Sequence, residues 1–339
     1  MTRVTIKDVA RQAGVSVTTV SQALNNPEGS RVAAQTRDAV RKVADSLGYR
    51  ANPSARALRT RRTDTIALIG QHLATTEFLG GLIGGAQQEV RHHDGLLIVA
   101  DTADDIDGVV QTLRDRQVDG IILGAFYHQE LSVPVSLLGT PTVLVNAFTR
   151  QEGYSWVTPD EVAGGRAAAE VLLAAGHRQV AMIGNVDDIP ATHGRREGFL
   201  ARCRQSGIEP RYVATSPHAE ATQALSTELL AGPDRPTGVF CFSDAMAIGF
   251  YFAAAGLGLR IPQDVSVVGF DAMRLIDTSL FPHLTSVALP HAEMAAWAVE
   301  RLYEQLEARG GAAGTLPSRG ERIVGRVVEG ESVSAPPAL

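Results

Sequence analysis

Residues 5–24 read TIKDVARQAGVSVTTVSQAL. Thr5 followed three residues on by Asp8 is a capping-box-like helix start, a hydroxyl at the N-cap and a carboxylate that can reach back to it. Ile6, Val9, Ala10 and Ala13 recur at helical spacing, so one face is apolar. Gly14 ends the helix, because glycine takes the left-handed cap conformation without steric cost. Ser16 can cap a second helix running to about Leu24, which Asn25-Asn26-Pro27 stops. On it Val20 and Leu24 face one way, and Val17, Thr18, Ser21 and Gln22 the other. A third helix is expected from about Ala33 to Leu47, with Val40, Val43, Ala44 and Leu47 inward and Gly48 at its end. Two short helices joined by a tight Gly-containing turn make a helix-turn-helix. The third closes a miniature core.

Outward from that stretch, charge divides the chain. Residues 1–63 hold 12 Lys+Arg against 4 Asp+Glu, a net +8. The remaining 276 hold 19 against 33, a net −14, so the overall −6 hides a basic head on an acidic body. Such asymmetry is expected of a nucleic-acid-binding module joined to something else; a solvated basic tail is the bland alternative. A length of 339 residues implies two or three domains, and 45% hydrophobic with 20% charged residues is ordinary for a globular protein. No apolar run approaches the roughly 20 residues of a membrane span. The first residues lack the apolar core of a secretory signal, so a cytoplasmic location is expected. Cys203 and Cys241 are too few for a disulfide framework or a four-thiolate zinc site. No metal and no cofactor is expected.

The head carries a resemblance. Val4-Thr5-Ile6-Lys7-Asp8-Val9-Ala10, Ala13-Gly14-Val15-Ser16, Thr19-Val20-Ser21 and Leu47-Gly48-Tyr49, in that order, resemble the head of the lactose-repressor (LacI/GalR) family. The resemblance implies a second helix in the major groove of DNA, with Val17, Thr18 and Gln22 reaching base edges. Most members have Arg where this chain has Gln22. Arg suits the two acceptors of guanine, and Gln the acceptor–donor pair of adenine. A water-mediated or phosphate contact is the alternative for Gln22. Thr5, Ser16, Thr19, Ser21 and Arg31 suit phosphates, which set register. Asn52-Pro53-Ser54-Ala55-Arg56-Ala57-Leu58-Arg59 resembles the family's hinge, a short helix that orders on operator DNA and wedges a Leu into the minor groove. Leu58 matches the wedge, with Ala55 beside it and Asn52 at the start. Arg56, Arg59, Arg61 and Arg62 would hold the backbone. Members usually have Pro before the hinge Asn; here Ala51 stands there, and Pro53 would open the helix. A plain Ser/Arg linker is the alternative.

From Asp64 short apolar runs alternate with helical segments. The runs are Ile66–Gly70, Leu96–Asp101, Gly120–Leu123 and Thr142–Asn146, then Gln179–Gly184, Arg211–Thr215, Gly238–Phe242 and Ser266–Asp271. Amphipathic stretches at Leu79–Arg91, Gly164–Ala175 and Ala245–Ala255 lie between them. Strand–helix alternation argues parallel sheets with helices on both faces. Two clusters of four strands imply two similar lobes. The resemblance continues through Asp119-Gly120-Ile121-Ile122-Leu123, Gly176-His177-Arg178, Arg195-Arg196-Glu197-Gly198-Phe199, Ser243-Asp244-Ala245-Met246 and Ile261-Pro262-Gln263-Asp264-Val265-Ser266. It implies an α + α/β chain: a helix-turn-helix head with hinge helix, then a two-lobed body of the type I periplasmic-binding-protein kind. The expected division is head 1–48, hinge 49–63, N-terminal lobe 64–161 with 291–320, and C-terminal lobe 162–290 with 321–339. The stretch from Arg322 through Val333 reads as a final strand, and Pro336-Pro337 as a loose tail. No Leu heptads come after it, so a homodimer rather than a coiled-coil tetramer is expected.

The resemblance also places the ligand residues. Arg195 matches the family's effector-binding Arg and Asp271 its partner at a strand end; Asn146 and Ser243 occupy similar strand ends. Ser243 stands where many members have Asn. Phe78 lies in the loop after the first strand, where aromatics often line the cleft. Arg with Asp suits vicinal hydroxyls, and an aromatic face covers one side of a ring, which favours a carbohydrate; a nucleobase-like ligand uses the same types. A helix cap is the alternative for Asp271, and core packing for Phe78. His92-His93 reads as a solvated helix end, and no dinucleotide, P-loop or nucleophile-elbow motif occurs. The function implied is a ligand-responsive transcriptional regulator, most simply a repressor, bound to a near-palindromic operator. A transport receptor of the same body fold would have a signal peptide and lack the basic head. An α/β enzyme fused to such a head would need a catalytic motif.

Overall fold

A computed structural model of the protein describes residues 4–25, 32–49, 62–71, 79–310 and 316–337. The chain divides into two compact units, residues 1–64 and 65–339.

The first unit is three helices: α1 (Ile6–Ala13), α2 (Val17–Asn25) and α3 (Ala34–Ser46). At the start of α1 the Thr5 N–H and hydroxyl both donate to Asp8 Oδ2, at 3.0 and 2.7 Å. Gly14 closes α1 at φ +67°, and its N–H donates to the Ala10 carbonyl. Ser16 Oγ accepts from the Thr19 N–H at 3.1 Å, which starts α2 as expected of a cap. Val9, Ala10, Val20, Ala23, Val40 and Ala44 form the buried core, edged by Ile6, Ala13, Leu24, Val43 and Leu47. Ala23 in the core, and Val15, Val32 and Tyr49 at its edge, were not among the inward positions read from the apolar pattern.

The second unit holds two six-stranded sheets with helices on both faces. One contains β1 (Thr65–Gly70), β2 (Leu96–Asp101), β3 (Gly120–Glu130), β4 (Thr142–Phe148), β5 (Ser155–Pro159) and β11 (Gly320–Ile323), in the order β11-β5-β4-β3-β1-β2. The other contains β6 (Val180–Asn185), β7 (Arg211–Thr215), β8 (Gly238–Cys241), β9 (Ser266–Asp271), β10 (Thr285–Ala288) and β12 (Val327–Val328), in the order β12-β10-β9-β8-β6-β7. The two orders are the same, strand for strand. Every pairing is parallel except β10 with β12.

Two-sided burial explains the continuous apolar runs. Ile66 and Leu68 of β1 pack with α4 (Leu79–His92) and α11 (His291–Gly310); Ala67 and Ile69 pack on the other face with α5 (Ile106–Asp115). In the second sheet Val180, Met182, Phe240 and Val268 meet α6 (Glu161–Ala174) and α7 (Pro190–Gln205). Ala181, Ile183, Val239 and Val267 meet α8 (Ala219–Ala231) and α9 (Asp244–Gly256). A short α10 (Arg274–Asp277) comes after β9.

Three expectations change. Each sheet has six strands, not four. The chain passes between sheets near Asp160, near Leu289 and between Val324 and Arg326, so Gly320–Ile323 sits with the first sheet rather than opening the second. The last segment is two short strands in different sheets, and the chain after them is tied down as far as Ser334. Ser332 is fully buried; its hydroxyl donates to the Val267 carbonyl at 2.6 Å and accepts from the Thr285 N–H at 2.8 Å. The Ser334 N–H donates to Ser266 Oγ, and the Ser334 carbonyl meets His177 Nε2.

Candidate functional site

On the head, Val17, Thr18 and Gln22 are exposed on one side of α2, Ser21 and Thr19 are half-buried, and Ser16 and Thr5 are exposed. The side chains expected to reach base edges are therefore free of the core. The hydroxyls of Ser16 and Thr19 lie 2.8 Å apart. Arg31, Asn52, Ala55, Leu58, Arg59 and Phe78 lie outside the described residues.

Asn146, Arg195, Ser243 and Asp271 come together. They line one cavity of about 200 Å³ at the carboxyl ends of the strands of both sheets, with Tyr127, His128, Glu161, Asn185, Phe242 and His291 among the other walls. This is where open parallel sheets present ligand sites. Asn146 ends its apolar run on β4 at φ +56°, and Asp271 ends β9 at φ +106°. β4 and β9 are third in the two matching strand orders, so the two residues correspond. Ser243 caps α9, accepting from the Met246 N–H at 3.3 Å. The Asn146 amide donates to the Ala125 carbonyl at 3.0 Å.

Arg195 organises the charge. Its Nε donates to Glu161 Oε2 at 2.8 Å, and its Nη1 to the Phe242 carbonyl at 2.7 Å and to Asp271 Oδ1 at 3.4 Å. The guanidinium lies 3.6 Å over the Phe270 ring and 4.5 Å from that of Phe242. Close helix crossing puts these groups in reach. A Cβ on Gly165 of α6 would strike the Arg195 carbonyl, and one on Gly198 of α7 would strike that of Val162. His128, on the irregular end of β3, brings Nδ1 to 3.5 Å from Glu161 Oε1, so the first sheet touches the start of α6.

Burial sets the ionisation. It would raise Glu161, but the Arg195 charge, the Arg195 hydrogen bond and the nearby His128 imidazole outweigh it and hold the carboxyl below its usual value. Asp271 goes the other way. Burial pushes it well above the usual carboxylate range; Arg195 opposes this, while Asp244 and Glu161 add to it. Burial also lowers the His291 imidazole to about 4. Glu161, His128, Phe242, Phe270 and His291 were not foreseen. Asp160-Glu161 reads as an ordinary acidic helix start, and Asp160 does accept from the Ala163 N–H at 2.9 Å. The phenylalanines read as core. Elsewhere His92 is exposed near Glu89, as a helix end should be, but His93 stacks on Tyr303 at 3.9 Å. No group of three metal-ligating side chains occurs among the described residues. Nor is any described helix long and apolar enough to cross a membrane.

Residues 5–52 match the family described as bacterial regulatory proteins, lacI family, and residues 169–333 match a periplasmic binding protein-like domain. The HTH-type transcriptional repressor CytR of Escherichia coli K12 is 31% identical over 315 residues, 90% of this chain and 91% of that protein. The chain belongs to the lacI family. It is a DNA-binding transcriptional regulator, not an enzyme. The ribose operon repressor of Haemophilus influenzae is 32% identical, covering 89% of this chain and 92% of its own. A solved complex of the transcriptional regulator CelR with cellobiose is 27% identical, covers 97% of this chain and all of that one, and superposes with a TM-score of 0.63. Family membership explains why a basic three-helix unit precedes two sheets of matching order.

Proposed function

We propose that this regulator is a cytoplasmic repressor whose operator affinity is set by a carbohydrate bound in the cavity between the two sheets. The observation that carries the reading is the convergence of Asn146, Arg195, Ser243 and Asp271 on one cavity. Donors and acceptors placed around an apolar wall of Phe242, Ala191 and Leu289 suit a ring bearing hydroxyls. The related regulator held with cellobiose supports the ligand class.

On DNA, Val17, Thr18 and Gln22 read base edges, while Thr5, Ser16, Thr19, Ser21 and Arg31 hold phosphates. Asn52, Ala55, Leu58 and Arg59 form the hinge within 49–63, and Phe78 covers the ligand. Two copies bind half-sites about one helical turn apart. Ligand shifts the population between two closure angles, and full switching requires roughly 5 kcal/mol of discrimination between them. Selection of the full chain against random duplex DNA tests the reading. Enrichment of a palindrome whose occupancy then changes with one sugar of a panel supports it; binding without sequence preference refutes it.

A further inference from the structure

Resting on the effector reading above, we infer that Glu161 is the positioning residue of the ligand site, and that His128 locks it when the two sheets close on a ligand. Glu161 reaches both halves of the body. It opens α6, which packs on the second sheet, and it directly follows the crossover at Asp160. Its Oε2 accepts from Arg195 Nε at 2.8 Å. Its Oε1 faces His128 Nδ1, on the first sheet, at 3.5 Å. One buried carboxylate thus meets the arginine of the cavity with one oxygen and the opposite sheet with the other.

The two contacts are not equally made. Arg195 is held by Glu161, by the Phe242 carbonyl and by the Phe270 ring. His128 Nδ1 is buried and makes no hydrogen bond. It stands about 0.6 Å beyond an ordinary N–H···O distance from Oε1. Of the buried side-chain nitrogens and oxygens without a hydrogen bond among the described residues, it is the one on the wall of this cavity. A buried donor without a partner costs free energy, so such an atom needs a reason. The reason here is an acceptor just out of reach. Glu161 stays ionised despite its burial, because Arg195 and His128 hold it below its usual value. Beside that carboxylate, Nδ1 is the ring nitrogen that carries the proton.

The chain around His128 is built to deliver it. β3 pairs with β4 in one register up to Gly124 and in another from Gln129. An irregularity of this kind re-aims side chains. Tyr127 and His128 leave it together, and both line the cavity. The His128 ring lies edge-on to Phe148 at 5.8 Å, which sets its plane. The Tyr127 phenol is raised by burial and then by Asp187, which follows β6 of the second sheet. Two successive side chains of one sheet are therefore aimed at carboxylates of the other. A ligand held between the sheets favours closure, and closure supplies the missing distance. His128 then donates to Oε1 while Oε2 keeps Arg195, so the guanidinium is fixed most firmly when the cavity is filled.

The test is titration calorimetry on the full chain with ribose, glucose, galactose and cellobiose, for wild type, His128→Asn, His128→Phe and Glu161→Gln. Asn carries an amide N–H close to the Nδ1 position; Phe keeps a ring against Phe148 and has no donor. A sugar that binds wild type should bind His128→Asn nearly as well and His128→Phe about ten-fold more weakly. The loss should lie in the dissociation rate, read by stopped flow, because the bond forms only after closure. Glu161→Gln should weaken binding at least as much, and adding His128→Phe to it should cost nothing further. In wild type with isotope-labelled histidine, the His128 Hδ1 signal should become protected from exchange with water when that sugar is added. If a sugar binds and His128→Phe matches wild type, or His128→Asn is as weak as His128→Phe, the lock is refuted and the carbohydrate reading stands. If both His128 variants fail to fold, Hδ1 exchange in wild type decides, and exchange unchanged by the bound sugar refutes the lock. If no sugar of the panel binds wild type, both are refuted.

Discussion

Arg195→Ala is the most demanding perturbation of the site. The guanidinium is paired at 2.8 Å with Glu161, and both side chains are about 95% buried. Removing one partner of a buried pair costs roughly 3–5 kcal/mol, because the other charge is left without compensation. Here two carboxylates are left, Glu161 and Asp271, and the stacking on Phe270 and Phe242 is lost as well. We expect a loss of about 4 kcal/mol at pH 7, read as a fall in the midpoint of urea unfolding of the body by roughly 1 M or more. The pH dependence carries a sign. Glu161 has a lowered folded value, so its contribution is present above its unfolded value and disappears as pH falls through the folded one. The deficit of the variant should therefore shrink in acid, where the orphaned carboxylates take up protons. The double variant Arg195→Met with Glu161→Gln should regain at least half of the loss. A deficit below about 1 kcal/mol, or a double variant as unstable as the sum of the singles, would refute the electrostatic account of the cluster.

Gly198→Ala puts a methyl against the Val162 carbonyl, so α7 must move off α6; a loss of about 1–3 kcal/mol with weakened ligand binding is expected in thermal unfolding and calorimetry. His291 has a folded value lowered from 6.5 to about 4, so its contribution is present above pH 6.5 and is lost as pH falls towards 4. Wild type should lose on the order of 3 kcal/mol over that window relative to His291→Phe, and parallel pH–stability curves would contradict it. Gln22→Arg should move preference from A toward G at one position per half-site, by about 1–3 kcal/mol; an unchanged selected site would show that Gln22 does not read bases.

The head was legible because every local cue agreed. Thr5 and Asp8 start a helix, Gly14 ends it, and the apolar positions fall on the face that is buried. Central strands were legible because two-sided burial leaves them continuously apolar. β5 and β10 were not, because their sequences carry polar work: Ser155 Oγ accepts from Arg301 and the Arg319 N–H, and Ser286 donates to Asp244. Arg195 and Asp271 came from the resemblance, not from any local signal. Glu161 and His128 had no sequence signal at all. One is masked as a helix-start acid, and the other sits past an irregularity in β3 that alternation does not foretell.

Asn146 and Asp271 show what the site costs the fold. Asn146, within β4, and Asp271, at the end of β9, each hold a left-handed conformation that side chains other than glycine rarely adopt, at a price of roughly 1–3 kcal/mol. At Asp271 a second cost is added. Its raised value means that its contribution is favourable only below the unfolded value of 3.8 and is lost as pH rises, so at neutral pH the residue opposes folding. Asp271→Gly removes both the strain and the buried carboxyl. Arg195 keeps Glu161 and the Phe242 carbonyl, so no charge is orphaned. The flexibility that glycine gives the unfolded chain returns only about 0.5–1 kcal/mol of the gain. We therefore expect Asp271→Gly to be at least as stable as wild type in urea at pH 7, and to bind operator DNA normally while losing its response to ligand. A stability gain at a residue that lines the cavity marks selection for function over stability. A loss above about 1 kcal/mol would mean instead that the Asp271 contacts hold the β9 end in place, and that the backbone there is not strained.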